Sequence, residues 1–147
     1  MTDELYEVLV VDGDRRWHTG VVVGEQEDRL LRRGDAVLAW GSRAGLEHHA
    51  QTARLELSDE LPDEVDLDLG GWLPRGEPEP SAQEVSELWH LLVDDPRAGR
   101  PLRGEVVEEA YDDLVEEAPD WFRVHGPRAR RALAEAVRVL RGDLRPS

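Results

Sequence analysis

Leu5-Tyr6-Glu7-Val8-Leu9-Val10-Val11, then Asp12-Gly13-Asp14, then Arg15-Arg16-Trp17-His18-Thr19-Gly20-Val21-Val22-Val23: the fold turns on this stretch. The first run alternates and is rich in Val and Leu. The second places Trp17, Thr19, Val21 and Val23 on one side. Period-two patterning on both sides of an Asp-Gly turn predicts a β-hairpin. Beyond it lie a polar stretch over 24–28, a short strand at Leu30-Leu31, and the turn Arg33-Gly34-Asp35. Ala36 to Trp40 reads as a buried strand. Ser42 caps a helix from Arg43 to about Ala53, with Leu46, Ala50 and Ala53 on one face. Arg54 to Leu57 alternates again, giving strand, helix, strand, a unit that can close a core.

From Ser58 to Pro80 the chain is irregular. Val65, Leu67 and Leu69 alternate with Asp66 and Asp68 as a short edge strand, which Gly70-Gly71-Trp72-Leu73-Pro74 ends. Helices follow. Ser81-Ala82-Gln83-Glu84 is a capping box, and Val85, Leu88, Trp89 and Leu92 form the apolar face behind it. Asp94-Asp95-Pro96 stops that helix. A second helix runs from Glu105 to Glu117, with Val107, Tyr111, Leu114 and Val115 inward and Pro119 beyond. Pro127 opens a third, striped by Leu133, Ala136, Val137 and Leu140 and stopped at Gly142. The fold class is therefore α+β: an N-terminal, mainly antiparallel single sheet with one helix, then three helices packed together. A chain of 147 residues fits a single domain over 1–147, strand-rich in 1–73, connected by 74–80 and helical over 81–142.

Composition narrows the chemistry. There is no cysteine, so disulfides, zinc thiolates and thiol catalysis are excluded. The polar start Met1-Thr2-Asp3-Glu4 is not a secretory signal, and no apolar run approaches a membrane span; a cytoplasmic protein is expected. The 33 acids outnumber the 18 basic residues, all of them Arg, for a net charge of -15. Such a charge disfavours phosphate contacts with nucleic acid and anionic membranes, and suits a basic protein partner. Solubility, or a salt-adapted proteome, explains it as well.

Motifs for catalysis are missing: no Gly-x-Ser-x-Gly elbow and no phosphate loop occurs. His48 and His49 are adjacent and diverge by about 100° on a helix. Glu87-x-x-His90 is half of a di-iron motif without its second half. Asp66-x-Asp68-x-Gly70 begins like a calcium loop, into which Pro74 intrudes. The pairs Asp94-Asp95, Asp112-Asp113 and Glu116-Glu117 are too many for any one to stand out as an acid/base pair. No enzyme, catalytic residue, metal or cofactor is expected.

Charge placement is more telling. Glu105 to Asp120 holds eight acids and no Arg, and Glu105, Glu109, Asp112, Asp113 and Glu116 fall along one broad helical face. Arg123 to Arg145 holds seven Arg, which would neutralise part of that face if the two helices lie side by side. The acids from Asp59 to Asp68 have no local partners. Trp72 beside this tract is either an interface anchor or a lid on the core, and Trp121 a lid. The expected partner-binding residues are Asp59, Asp63, Asp66, Asp68, Trp72, Asp112, Asp113 and Glu116.

From Val85 onward, Trp89-x-Leu91-x-x-Asp94, Tyr111-Asp112-x-Leu114, Pro119, Trp121 and the closing Leu140-x-Gly142 resemble a group of small bacterial proteins proposed as immunity proteins of toxin–immunity systems. The resemblance covers about two-fifths of the chain. The group usually has Asn where His90 stands and Lys where Asp113 stands, two departures. The resemblance implies a stoichiometric inhibitor of a basic toxin of the nuclease type, with no catalytic residues. A small regulatory or adaptor protein is the alternative, and a carboxylate- or metal-dependent enzyme a further one.

Overall fold

A computed structural model describes residues 3–24 and 28–146; the middle of the polar stretch over 24–28 and Met1-Thr2 lie outside the described residues. The strands are β1 (Glu4–Asp12), β2 (Arg15–Val23), β3 (Asp28–Leu30), β4 (Arg32–Arg33) and β5 (Ala36–Ala39). Then come α1 (Arg43–Thr52), β6 (Glu56–Leu57) and β7 (Asp63–Asp66). The remaining helices are α2 (Trp72–Arg75), α3 (Ala82–Val93), α4 (Glu105–Val115), α5 (Trp121–Val124) and α6 (Gly126–Asp143), and β8 (Leu144–Pro146) closes the order. The chain is α+β, as its pattern predicts. It divides into two compact units, the first made of residues up to Val65 together with Asp143 onward, the second of Asp66–Gly142.

In the first unit the expected hairpin forms, Glu4 opposite Val23 and Asp12 opposite Arg15, with Gly13 supplying the left-handed turn residue (φ 63°). The strands, however, make two sheets rather than one. The larger runs β3-β2-β1-β6, with β7 also on β1; the smaller runs β4-β5-β8. The cause lies at Leu31. Its N–H donates to Gly20 O (3.0 Å) while its carbonyl accepts from Leu38 N–H (2.9 Å), so one residue serves two ladders and the chain bends there. The pairing is mixed, since β6 lies parallel to β1 and β8 parallel to β5. Leu5, Leu31, Leu46 and Ala50 are buried together, and Val22, Leu38, Trp40, Leu55 and Leu57 pack around them.

The helix α1 is capped by the Ser42 hydroxyl as expected, but Ala53 is exposed at its end. There the chain leaves the helix through a left-handed Arg54 (φ 57°), with Leu55 N–H bonded to Ala50 O at 2.8 Å. This Schellman-type exit delays the next strand to Glu56. The edge strand over Val65, Leu67 and Leu69 also stops short. Asp66 Oδ1 accepts from Asp68 N–H (2.9 Å) and Oδ2 from Gly70 N–H (3.0 Å), which folds Leu69–Gly71 into a tight turn leading to α2.

In the second unit the capping box on α3 forms in full, and Val85, Leu88, Trp89 and Leu92 are buried. The stripe Leu133, Ala136, Val137 and Leu140 of α6 is buried too, joined by Ala129. Gly142 does not stop α6, which runs one residue further and passes directly into β8. On α4 the buried residues are Ala110 and Leu114, while Val115 is 60% exposed. Val115 lies a further 100° around the helix from Leu114, past the edge of the inward face.

Candidate functional site

The acidic surface is centred on α4. Glu105, Glu108, Glu109, Asp112, Glu116 and Glu117 are all exposed. Among the described residues none of these six makes an ion pair. The basic helix does not neutralise them. Arg130 donates Nε–H to the carbonyls of Trp72 (2.7 Å) and Leu73 (3.0 Å), Arg138 pairs with Glu135, Arg141 with Asp68, and Arg123 with Asp120 at 3.1 Å. Asp113 is set apart from its neighbours: half-buried, it meets His125 Nε2 at 2.6 Å. The like charges cost helix stability, and α4 ends in another left-handed residue, Glu117 (φ 56°).

The first acidic tract behaves differently. Asp59 and Asp63 are exposed, and Glu64 reaches Arg16 at 3.7 Å. Asp66 caps its own turn, and Asp68 pairs with Arg141. The cations that meet Glu64 and Asp68 come from distant parts of the sequence, and the last two carboxylates of the tract, Asp66 and Asp68, are part of the scaffold. They hold backbone amides and a guanidinium where a calcium loop would need free oxygens. Trp72 is 4% exposed, edge-on to Phe122 at 5.7 Å. Trp121 is also buried and donates Nε1–H to Ala110 O at 2.6 Å. Asp112 and Glu116 share the outer face of α4.

Two further groups of polar residues are not evident from the sequence. One surrounds Glu7, a carboxylate in the middle of β1 whose side chain is 2% exposed. One oxygen accepts from Arg43 Nη1 at 2.6 Å, and the other lies 2.8 Å from His18 Nδ1. Arg43 also donates Nε–H to Glu47 at 3.0 Å. Glu7 holds the Arg43 guanidinium firmly charged, raising its pKa. The face of the hairpin gives the signal: Glu7 shares the Leu5 side, which α1 covers, so an acid there demands polar partners from β2 and the first turn of α1. The neighbouring His49 stacks on Trp40 at 5.0 Å, and burial, then Arg33 and His48, push its pKa down.

The other group joins α3 to α4. The Tyr111 hydroxyl and His90 Nε2 hydrogen-bond, and the Tyr111 and Trp89 rings lie 5.4 Å apart. Burial raises the Tyr111 pKa, opposed by a hydrogen bond with Ser86. Glu87, the other half of the metal-like motif, accepts from Gln83 at 3.2 Å instead. Among the described residues no group of three or more His, Asp or Glu is placed to hold a metal ion, and no helix is long and apolar enough to cross a membrane.

Fold and surface together define an α+β chain with an unneutralised acidic helix face. No protein-family model matches the chain, and no curated protein matches it in sequence. Among solved structures it is similar to the crystal structure of the SatS C-terminal domain in complex with bromine, with a TM-score of 0.56 and 13% identity over 97% of this chain and 94% of that one. At that identity the likeness is one of fold.

Proposed function

We propose that this protein is an acidic binding module that docks a basic protein partner through the outer face of α4, in the cytoplasm and without chemistry of its own. The observation that carries the proposal is the set of six exposed carboxylates on and just beyond α4 that make no ion pair among the described residues. Exposed acids that were only solubilising would gain from the abundant Arg of the same chain; here Arg130, Arg138 and Arg141 of α6 are engaged elsewhere. The resemblance of the C-terminal part to immunity proteins supports a basic toxin of the nuclease type, held stoichiometrically, as that partner. Asp112 and Glu116 carry the contact, Asp113 flanks it, and Val115, exposed among these acids, supplies the apolar contact. Asp59 and Asp63 form a second acidic patch on the other unit. Trp72, Asp66 and Asp68 serve the scaffold.

The test is association and dissociation kinetics against the product of the neighbouring gene at two salt concentrations. Opposite charges steer encounter, so association slows steeply as salt rises. Asp112→Asn with Glu116→Gln slows association without destabilising the fold, because exposed charges contribute little to stability. Val115→Ser speeds dissociation. Association that ignores salt and both sets of changes would show that the acidity serves solubility alone.

A further inference from the structure

Among the five histidines of the chain, His18 combines a ring nitrogen held by a buried carboxylate with a second one left open. Its Nδ1 stands 2.8 Å from Glu7 Oε2. Glu7 is shielded from water, and Arg43 Nη1 occupies its other oxygen at 2.6 Å. A carboxylate only accepts, so Nδ1 carries a proton and the neutral ring has its lone pair on Nε2. Nε2 makes no hydrogen bond among the described residues. No side-chain nitrogen or oxygen among them is both buried and unbonded, so water reaches Nε2, in a side chain that is 23% exposed. The other four rings differ. Nε2 of His90 is engaged by Tyr111 and Nε2 of His125 by Asp113. His49 stacks on Trp40. His48 is exposed, and no side chain among the described residues orients it.

We propose that His18 is a phosphoryl-acceptor site, modified at Nε2 by a donor of the phosphoramidate class, in which phosphorus is bound to nitrogen. The Nε2 lone pair attacks phosphorus and forms the new N–P bond. The donor's own P–N bond breaks, and its protonated nitrogen leaves as a neutral amine with the electron pair of that bond. The ring keeps its Nδ1 proton and gains a positive charge, which the carboxylate of Glu7 neutralises, as an acid behind a reacting imidazole does. Glu7 is thus a positioning residue: it fixes the tautomer that leaves Nε2 nucleophilic. A phosphoryl group suits the place because Arg43, the first residue of α1, holds the same carboxylate and is 38% exposed, a cation beside the modified ring. The net charge of -15 opposes an anionic donor at every histidine, so the selection among them comes from how each ring is held. The proposal is independent of the acidic face of α4.

The experiment treats the intact chain with potassium phosphoramidate at neutral pH. Peptide mapping locates the acid-labile phosphate, and phosphorus NMR tells the two ring isomers apart. His18 should be modified at Nε2, at least about ten-fold faster than the more exposed His48. Glu7→Gln keeps an acceptor for the Nδ1 proton but removes the charge behind the ring. It should slow the reaction of His18 by about ten-fold, as loss of an outer partner does, and leave that of His48 unchanged. Reaction in order of exposure, with His48 ahead of His18, overturns the proposal. So does an unmodified His18, modification at its Nδ1, or a folded Glu7→Gln chain that reacts as the wild type does. The order of reaction and the ring isomer are read on the wild type, so they stand whether or not the variant folds.

Discussion

Glu7 shows how the cost of a buried charge depends on which partner is removed. Its carboxylate is almost wholly shielded, whereas Arg43 and His18 are 38% and 23% exposed. Replacing Glu7 by Leu, a side chain of similar size, leaves Arg43 and His18 where water can reach both. Replacing Arg43 by Leu leaves a shielded carboxylate with one partner. Urea denaturation should therefore find Arg43→Leu less stable than Glu7→Leu by about 2 kcal/mol, a figure already discounted for the exposure of Arg43. His49 makes a second prediction. Its pKa is lowered in the folded chain, so the unfolded chain takes up the proton first, near pH 6.5. The stability this contributes is present above about pH 6.5 and is lost as pH falls through the lowered value. Melting curves taken downward from neutral pH should fall less steeply for His49→Gln than for the wild type.

At the scale of the element, Gly45 and Arg54 invert ordinary expectations at opposite ends of α1. A helical Gly→Ala change is normally worth about 1 kcal/mol of stability. At Gly45 a Cβ would stand 2.6 to 2.8 Å from Cδ1, Cγ and Cβ of Trp40, so Gly45→Ala should destabilise, by about 1–3 kcal/mol as overpacked sites do. Arg54 sits in left-handed backbone that L-residues enter at a cost, so Arg54→Gly should stabilise by up to about 1 kcal/mol, net of the freedom glycine adds to the unfolded chain. Thermal unfolding of the two variants checks both signs. These elements also show what local sequence can convey. The hairpin, the Ser42 cap, the Ser81 box and the buried stripes of α3 and α6 are legible because each depends on residues within one or two turns of each other. The split into two sheets is not, since it depends on Leu31 bonding to residues in two separate strands. Nor is β8, because nothing in Leu144-Arg145-Pro146 announces a strand; only the distant edge of β5 makes it one. The exposed acids of α4 follow from spacing alone. The carboxylates of Asp66 and Asp68 do not, because a short polar side chain in a turn captures nearby amides and Arg141 lies 73 residues away in sequence.

For the molecule as a whole, a charge of -15 means self-repulsion in the folded chain. Raising salt to about 0.5 M shortens the screening length to a few ångströms, so the melting temperature should rise, and rise less once Glu105, Glu109, Asp112 and Glu116 are all changed to their amides. An unchanged melting temperature would mean that repulsion is already balanced by the Arg pairs on the surface. The arrangement of the units has a consequence for synthesis. The first unit is interrupted: its hairpin is translated before the second unit, but the strand that flanks β5, and the Asp143 that neutralises Arg32, only after all of it. During elongation the nascent chain therefore carries an open β5 edge and a cation awaiting its counter-charge while more than seventy residues, those from Asp66 to Gly142, are added. N-terminal elements generally fold first as a chain is made. Here β5 has to wait for β8, and that interval is when the edge is open to strands other than its own.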